Sequence, residues 1–253
     1  MKQSRLYFFL LILIVLTASC SGKQAVKPQE KYDAETSFEK ANAQFEKKNY
    51  EEARAAFLEV KNRDLSRKFA PLAQLKIADS YVQEDEPERA VAEFQRFFET
   101  YPDHQYASYA QYQIAMVYFN QIESPERGYS GAAKALVEFE KLKQMFPRNP
   151  YKDIIDIKIE KCRNTMAEYE YLVGSFYYKK GSYMAAIGRF EGLLKKYPEY
   201  RGEPDVLFYG GMSHKKLGQK EKASEYFTRL IEKHPNNKLV NDAKKELSSL
   251  NRK

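Results

Sequence analysis

The stretch Glu168–Tyr200, EYEYLVGSFYYKKGSYMAAIGRFEGLLKKYPEY, decides the fold. Within it Ala186 and Phe190 stand four residues apart, Gly174 lies twelve residues before the alanine, and Pro198 lies twelve after it. Outward from this stretch the Ala-x-x-x-Phe pair recurs as Ala53/Phe57, Ala90/Phe94, Ala135/Phe139 and Ala223/Phe227. Pro102, Pro147 and Pro235 keep the distance of Pro198, and the residue before each of the four is Tyr101, Phe146, Tyr197 or His234. Ala41, Ala78 and Gly211 repeat the place of Gly174, while in the third unit the small residue is Ala115, displaced by eight extra residues. Five units in fixed phase are an internal repeat.

Each unit reads as a pair of helices. A small residue on the first helix lets the alanine of the second approach closely, and the phenylalanine one turn on fills the groove between them. The proline cannot continue a helix, so it closes the pair and opens the next. This is the tetratricopeptide pattern, with a period of 37 residues here, against about 34 in its commonest form. It predicts an all-α, right-handed superhelical solenoid of five tetratricopeptide-like helix pairs. Tyr81, Tyr118 and Tyr177 fall three residues after the small residue, where the pattern favours an aromatic; Gln44 and His214 depart from it. His214 is therefore read as a packing residue.

Two insertions break the period. Residues 121–131, QIESPERGYSG, form a polar loop inside the third pair, and fourteen extra residues follow Pro150. The run from Tyr151 to Lys180 predicts one long helix joining repeats 3 and 4.

Composition agrees with helices, since 11 Gly and 10 Pro are few for a chain of many short strands. Two cysteines make no disulfide scaffold, and Cys162, on an apolar helical stretch, reads as a small buried hydrophobe. The three histidines are scattered, and no metal-ligand spacing, phosphate-binding loop, nucleophile motif or paired carboxylate emerges. The expectation is a non-catalytic protein with no catalytic, cofactor-binding or metal-ligating residues.

At the start of the chain, Lys2 and Arg5 precede an apolar run from Leu6 to Leu16, then Thr17-Ala18-Ser19 and Cys20. The run is too short to span a bilayer, for which about 20 residues are needed, and it reads as a secretory signal peptide. Cys20 in this setting resembles the acylation site of bacterial lipoproteins, with Thr17 where that pattern commonly has leucine. Residues 1–19 are thus expected to be a signal peptide, 20–32 a lipid-anchored tether, 33–150 repeats 1–3 and 151–253 repeats 4 and 5. Ser21 after the cysteine resembles the outer-membrane sorting pattern, which implies anchoring at the periplasmic face of the outer membrane.

Charge is uneven. Residues 20–150 carry 19 basic and 21 acidic side chains, whereas residues 151–253 carry 21 and 14. Export argues against nucleic acid as the basic half's partner and for an acidic protein surface or anionic headgroups.

An acylation motif, five such repeats and a long helix into the fourth together resemble the BamD family of outer-membrane β-barrel assembly lipoproteins. The specific stretch is Glu168–Tyr200, with Tyr-Glu-Tyr at 169–171, Tyr177-Tyr178 before Gly181, and Arg189-Phe190-Glu191-Gly192 before Tyr197-Pro198. Asn49-Tyr50-Glu51-Glu52-Ala53 is similar too, in a way common to these repeats. The resemblance implies a subunit that receives unfolded barrel precursors on its N-terminal repeats, where Tyr81 and Tyr118 lie. It also implies docking of the BamA periplasmic domains, and of other assembly subunits, on the C-terminal repeats. There Arg189 matches the family's motif, and Glu191, Lys195, Lys196, Lys215 and Lys216 surround it in sequence. The alternatives are a pilotin-type lipoprotein escorting secretin subunits and a soluble periplasmic scaffold.

Overall fold

The computed structural model describes residues 32–250, and the signal peptide, Cys20 and all but the last residue of the tether lie outside them. Among the described residues there are eleven α-helices and no strand. They are α1 (Ala34–Glu46), α2 (Tyr50–Arg63), α3 (Ala70–Gln83), α4 (Pro87–Thr100), α5 (Ala107–Asn120), α6 (Ser130–Met145), α7 (Lys152–Lys179), α8 (Tyr183–Lys196), α9 (Glu203–Lys216), α10 (Lys220–Lys233) and α11 (Val240–Leu250). From Ala34 onward each helix packs on its neighbours in sequence, as in a solenoid. α1/α2, α3/α4, α5/α6, α7/α8 and α9/α10 are the five expected pairs. α11 was assigned to no element by the repeat pattern; it packs on α10 through Ala243 and Leu247.

All five repeat alanines and all five repeat phenylalanines are completely buried. The small residue on the first helix does its work against the phenylalanine. A Cβ on Gly174 would lie 2.5 Å from Cε1 of Phe190, and one on Gly211 2.7 Å from Cε1 of Phe227. At these two positions the aromatic ring is the nearest neighbour of the small residue.

The prolines act as predicted. α4, α6, α8 and α10 end at Thr100, Met145, Lys196 and Lys233, each two residues before Pro102, Pro147, Pro198 or Pro235. The first repeat has Leu65 at that place, and Asp64 takes over the connection. Its carboxylate accepts the backbone N–H groups of Ser66 (3.0 Å), Phe69 (2.6 Å) and Ala70 (3.0 Å), which fixes the start of α3. The turn within each uninterrupted pair holds one residue at positive φ, always five before the repeat alanine: Lys48, Asp85, Gly181 and Gly218.

α7 is continuous, with 28 residues. Its first half packs on α6, its second half is the first helix of the fourth pair, and one core cluster runs from Ala115 to Val206 without a break at residue 150. The insertion carries a short 3₁₀ turn, Pro125–Arg127, that folds onto α7. Tyr129 meets Tyr169 of α7 edge to face, with centroids 4.9 Å apart.

Candidate partner-binding surface

In the second repeat, buried Gln74 of α3 donates from Nε2 to the Glu93 carboxylate at 2.7 Å and to the Glu93 carbonyl at 3.2 Å. In the third, buried Gln111 of α5 makes the same pair of bonds to Glu138, at 2.7 and 3.1 Å. The fourth repeat carries Glu170 and Arg189 at these two positions, and Arg189 Nη1 donates to Glu170 Oε2 at 2.9 Å. The Arg189 side chain is 45% exposed and that of Glu170 20%, so the carboxylate positions a guanidinium whose outer face remains open.

The surface beside Arg189 is bare. A Cβ at Gly188 or Gly192 would meet nothing within 4 Å. With Tyr177 and Ala185 these glycines shape a shallow depression of about 400 Å³ against Arg189. Lys196 shares the neighbourhood: its ammonium pKa is raised, first by Tyr197 and further by Tyr129 and Glu170. Seven residues apart on α8, Arg189 and Lys196 lie along one face of that helix.

The other residues singled out in the sequence separate. Lys195 and Lys216 are exposed. Glu191 is exposed, with Oε1 3.9 Å from His214 Nε2. Lys215 is committed inside the chain, donating to the Glu246 carboxylate and to Ser249 Oγ at 2.7 Å, which ties α9 to α11. Tyr81 lies half-buried between the core cluster around Phe57 and that around Phe94, with the Arg54 guanidinium 4.4 Å and that of Arg89 5.7 Å from its ring. Tyr118 stands one repeat later between the cluster around Phe94 and that around Phe139, with Lys134 Nζ 5.4 Å from its ring and its hydroxyl pKa raised by burial. Both tyrosines are thus packed on one side and partly open on the other.

The YfiO family, described as outer membrane lipoprotein, matches residues 30–226. The chain belongs to this family. It is 26% identical over 242 residues to outer membrane protein assembly factor BamD of Rickettsia prowazekii, covering 94% of each chain. It is 27% identical over 209 residues to that of Caulobacter vibrioides, covering 81% of this chain and 68% of the relative. Among solved structures, the TPR2AB-domain:pHSP90 complex of yeast Sti1 aligns at 16% identity with a TM-score of 0.48, covering 86% of each chain.

This YfiO chain also holds a polar cluster that the repeat pattern did not signal. Glu203, buried at the start of α9, accepts from Arg229 Nη2 at 2.5 Å and Lys233 Nζ at 2.6 Å, with His234 Nε2 at 2.9 Å. Burial acts to raise the Glu203 pKa, but the bonds from Lys233, His234 and Arg229 hold it below the ordinary carboxylate value. The cluster staples α9 to the end of α10. The expected core residues are where they were placed. Cys162 is buried with its thiol pushed up to about 11 by burial. His214 is buried against Tyr226, with Nδ1 2.6 Å from Gln219 Oε1.

Proposed function

We propose that the protein is a non-catalytic, lipid-anchored subunit of the outer-membrane β-barrel assembly machinery, held at the periplasmic face of the outer membrane by acylated Cys20. Family membership supports the assembly role, as do the relatives named outer membrane protein assembly factor BamD. The observation that carries the docking part of the reading is the Arg189–Glu170 pair beside the bare Gly188/Gly192 surface. A half-exposed guanidinium held by its own carboxylate is preorganised for a carboxylate on a partner, and the flat glycine patch lets a second backbone approach. That partner is read as the BamA periplasmic domains, engaged by Arg189 with Lys195, Lys196 and Lys216 steering the encounter. Glu191, beside His214, and Lys215, bonded to Glu246 and Ser249, lie off this surface and are given no contact in the reading. The N-terminal repeats, with Tyr81 and Tyr118, are the proposed receiving surface for unfolded barrel precursors. No catalytic residue, cofactor or metal enters this reading.

The test is purification of a tagged copy from gently solubilised outer membranes, with the dominant partner identified by mass spectrometry. A β-barrel protein with tandem periplasmic domains, lost on Arg189→Glu, supports the reading. A secretin as the dominant partner overturns it in favour of a pilotin role. Cys20→Ala is expected to leave the membrane fraction; retention there would remove the anchor from the proposal.

A further inference from the structure

α7 starts fourteen residues before the fourth repeat requires, and its first turns bury Ile155 and Ile159 while leaving another side open. Ile157 is 69% exposed there. It borders a groove of about 540 Å³ whose other walls are Phe119 at the end of α5, Pro125 of the insertion, and Tyr200 and Gly202 before α9. This groove is separate from the Arg189 surface: Glu168 lines it, and Glu170 holds Arg189. Two residues apart on one helix, they project about 200° apart around the axis.

The polar side chains lining the groove are engaged with one another, save two. Glu160 accepts from Arg201 Nη2 at 2.5 Å, and Glu168 accepts from the Tyr200 hydroxyl. Asn164 donates to the Glu160 carbonyl at 3.0 Å and accepts from Arg201 N at 3.4 Å, and the Thr165 hydroxyl donates to the Lys161 carbonyl at 2.9 Å. Among the described residues neither Lys158 nor Lys161 makes an ion pair; Lys158 Nζ lies 4.2 Å from the centre of the Phe119 ring. An apolar floor thus sits beside two lysines that no carboxylate pairs, in a lining where Lys158, Lys161 and Arg201 outweigh Glu160 and Glu168 by one charge.

We propose that this groove binds an extended polypeptide segment carrying an apolar side chain between acidic residues. The apolar side chain covers Ile157, Phe119 and Pro125, and removing that surface from water supplies the non-directional part of binding. The flanking carboxylates neutralise Lys158 and Lys161, which sets orientation and selects against basic segments. The volume suits one anchoring side chain with its neighbours, within the usual range of about 300–1,000 Å³ for ligand sites. The insertion that breaks the third repeat supplies the Pro125 wall, which gives that insertion a purpose.

The experiment uses the full chain in detergent and two fluorescein-labelled, amidated decapeptides. One carries phenylalanine flanked on both sides by aspartates, the other the same sequence with lysines for the aspartates. Fluorescence anisotropy is expected to show the acidic peptide binding at least ten-fold more tightly. Ile157→Asp is expected to weaken it at least five-fold, and Lys158→Glu with Lys161→Glu to reverse the preference between peptides. Arg189→Glu is expected to leave both affinities unchanged, which keeps this site distinct from the docking surface. These variants alter exposed or half-exposed positions, and an unchanged melting curve verifies the fold. Equal binding of the two peptides, no binding at 1 mM, or insensitivity to the groove variants overturns the proposal. So does binding of phosphatidylglycerol vesicles that is lost in the double lysine variant while peptide binding is retained, since the lysines would then serve a lipid surface.

Discussion

Arg189 donates to Glu170 at 2.9 Å in the slot that Gln74–Glu93 and Gln111–Glu138 fill in the two preceding repeats. The inter-helix link is kept, but the acid has moved to the first helix and a cation has taken the more open place. A half-exposed ion pair of this kind stabilises by about 0–1 kcal/mol. Arg189→Ala is therefore expected to cost no more than about 1 kcal/mol in urea unfolding. A loss of partner affinity well above ten-fold in the same variant would then measure contact with the partner, because the fold would account for only a small part of it. If Arg189→Ala unfolds the protein instead, its role is structural.

Gly174 faces Phe190 so closely that even a methyl group needs the ring to move. Alanine improves helix propensity by about 1 kcal/mol over glycine, while overpacking a full core costs about 1–3 kcal/mol. Packing is expected to win. Gly174→Ala should lower stability by about 1–2 kcal/mol and Gly174→Leu far more, read as shifts in urea midpoint at constant slope. Gly211→Ala should behave alike against Phe227, whereas Gly188→Ala, which meets nothing, should be stabilising.

Lys48 and Asp85 hold φ of 63° and 57° at the turn position that Gly181 and Gly218 occupy in later repeats. The left-handed conformation costs a side-chain-bearing residue about 1–2 kcal/mol. Lys48→Gly and Asp85→Gly are each expected to raise stability by about 0.5–1 kcal/mol, the larger unfolded-state entropy of glycine offsetting part of the gain. Thermal melts of the single and double variants test this, and additivity is expected because the turns lie in different repeats.

Much of this architecture is legible in the Ala, Phe and Pro spacing because each of those residues acts within its own repeat, at fixed distance along the chain. The five buried phenylalanines and the four helix ends before proline follow from periodicity alone. Asp64 does not: its value as a cap depends on the path of residues 64–70, where the proline is missing. Nor does the Glu203 cluster, whose partners lie 26 to 31 residues away and have no periodic signature. The candidate site was half legible. Arg189 was singled out from the motif, but its pairing with Glu170, the role of the flanking glycines and the internal use of Lys215 need the packed helices.

Asp64 and Glu203 both titrate below their ordinary values in the folded chain, so the folded state binds fewer protons than the unfolded one in mild acid. Their stabilisation is present above the unfolded values of about 4 and is lost as pH falls through the depressed folded values. Glu203→Gln is expected to cost about 1.5–3 kcal/mol at pH 7, as loss of charged hydrogen bonds does. The difference from the parent should shrink steadily below about pH 4, as the parent carboxylate is itself protonated. Asp79 acts in the opposite sense, since burial raises its pKa despite the bond from Tyr109 and the nearby Lys76. Asp79→Asn should therefore make the acid loss steeper. Melting temperatures between pH 3 and 7 distinguish these slopes.

Gln74 and Gln111 are equivalent and equally buried, yet only the first is fully satisfied. Lys61 Nζ donates to Gln74 Oε1 at 2.9 Å. One repeat on, the position of Lys61 is held by Phe98, and Gln111 Oε1 has no partner among the described residues. A buried acceptor without a donor costs about 1–3 kcal/mol, and replacing Gln111 removes that penalty while also giving up the two bonds to Glu138. Replacing Gln74 gives up the bond from Lys61 as well. Gln111→Leu is accordingly expected to destabilise less than Gln74→Leu, by about 1 kcal/mol. The fifth repeat supports the direction, since buried Leu207 already stands at this position. Urea unfolding of the two single variants decides it: equal losses would mean that Gln111 Oε1 finds a donor in solution, and the contrast between the repeats would vanish.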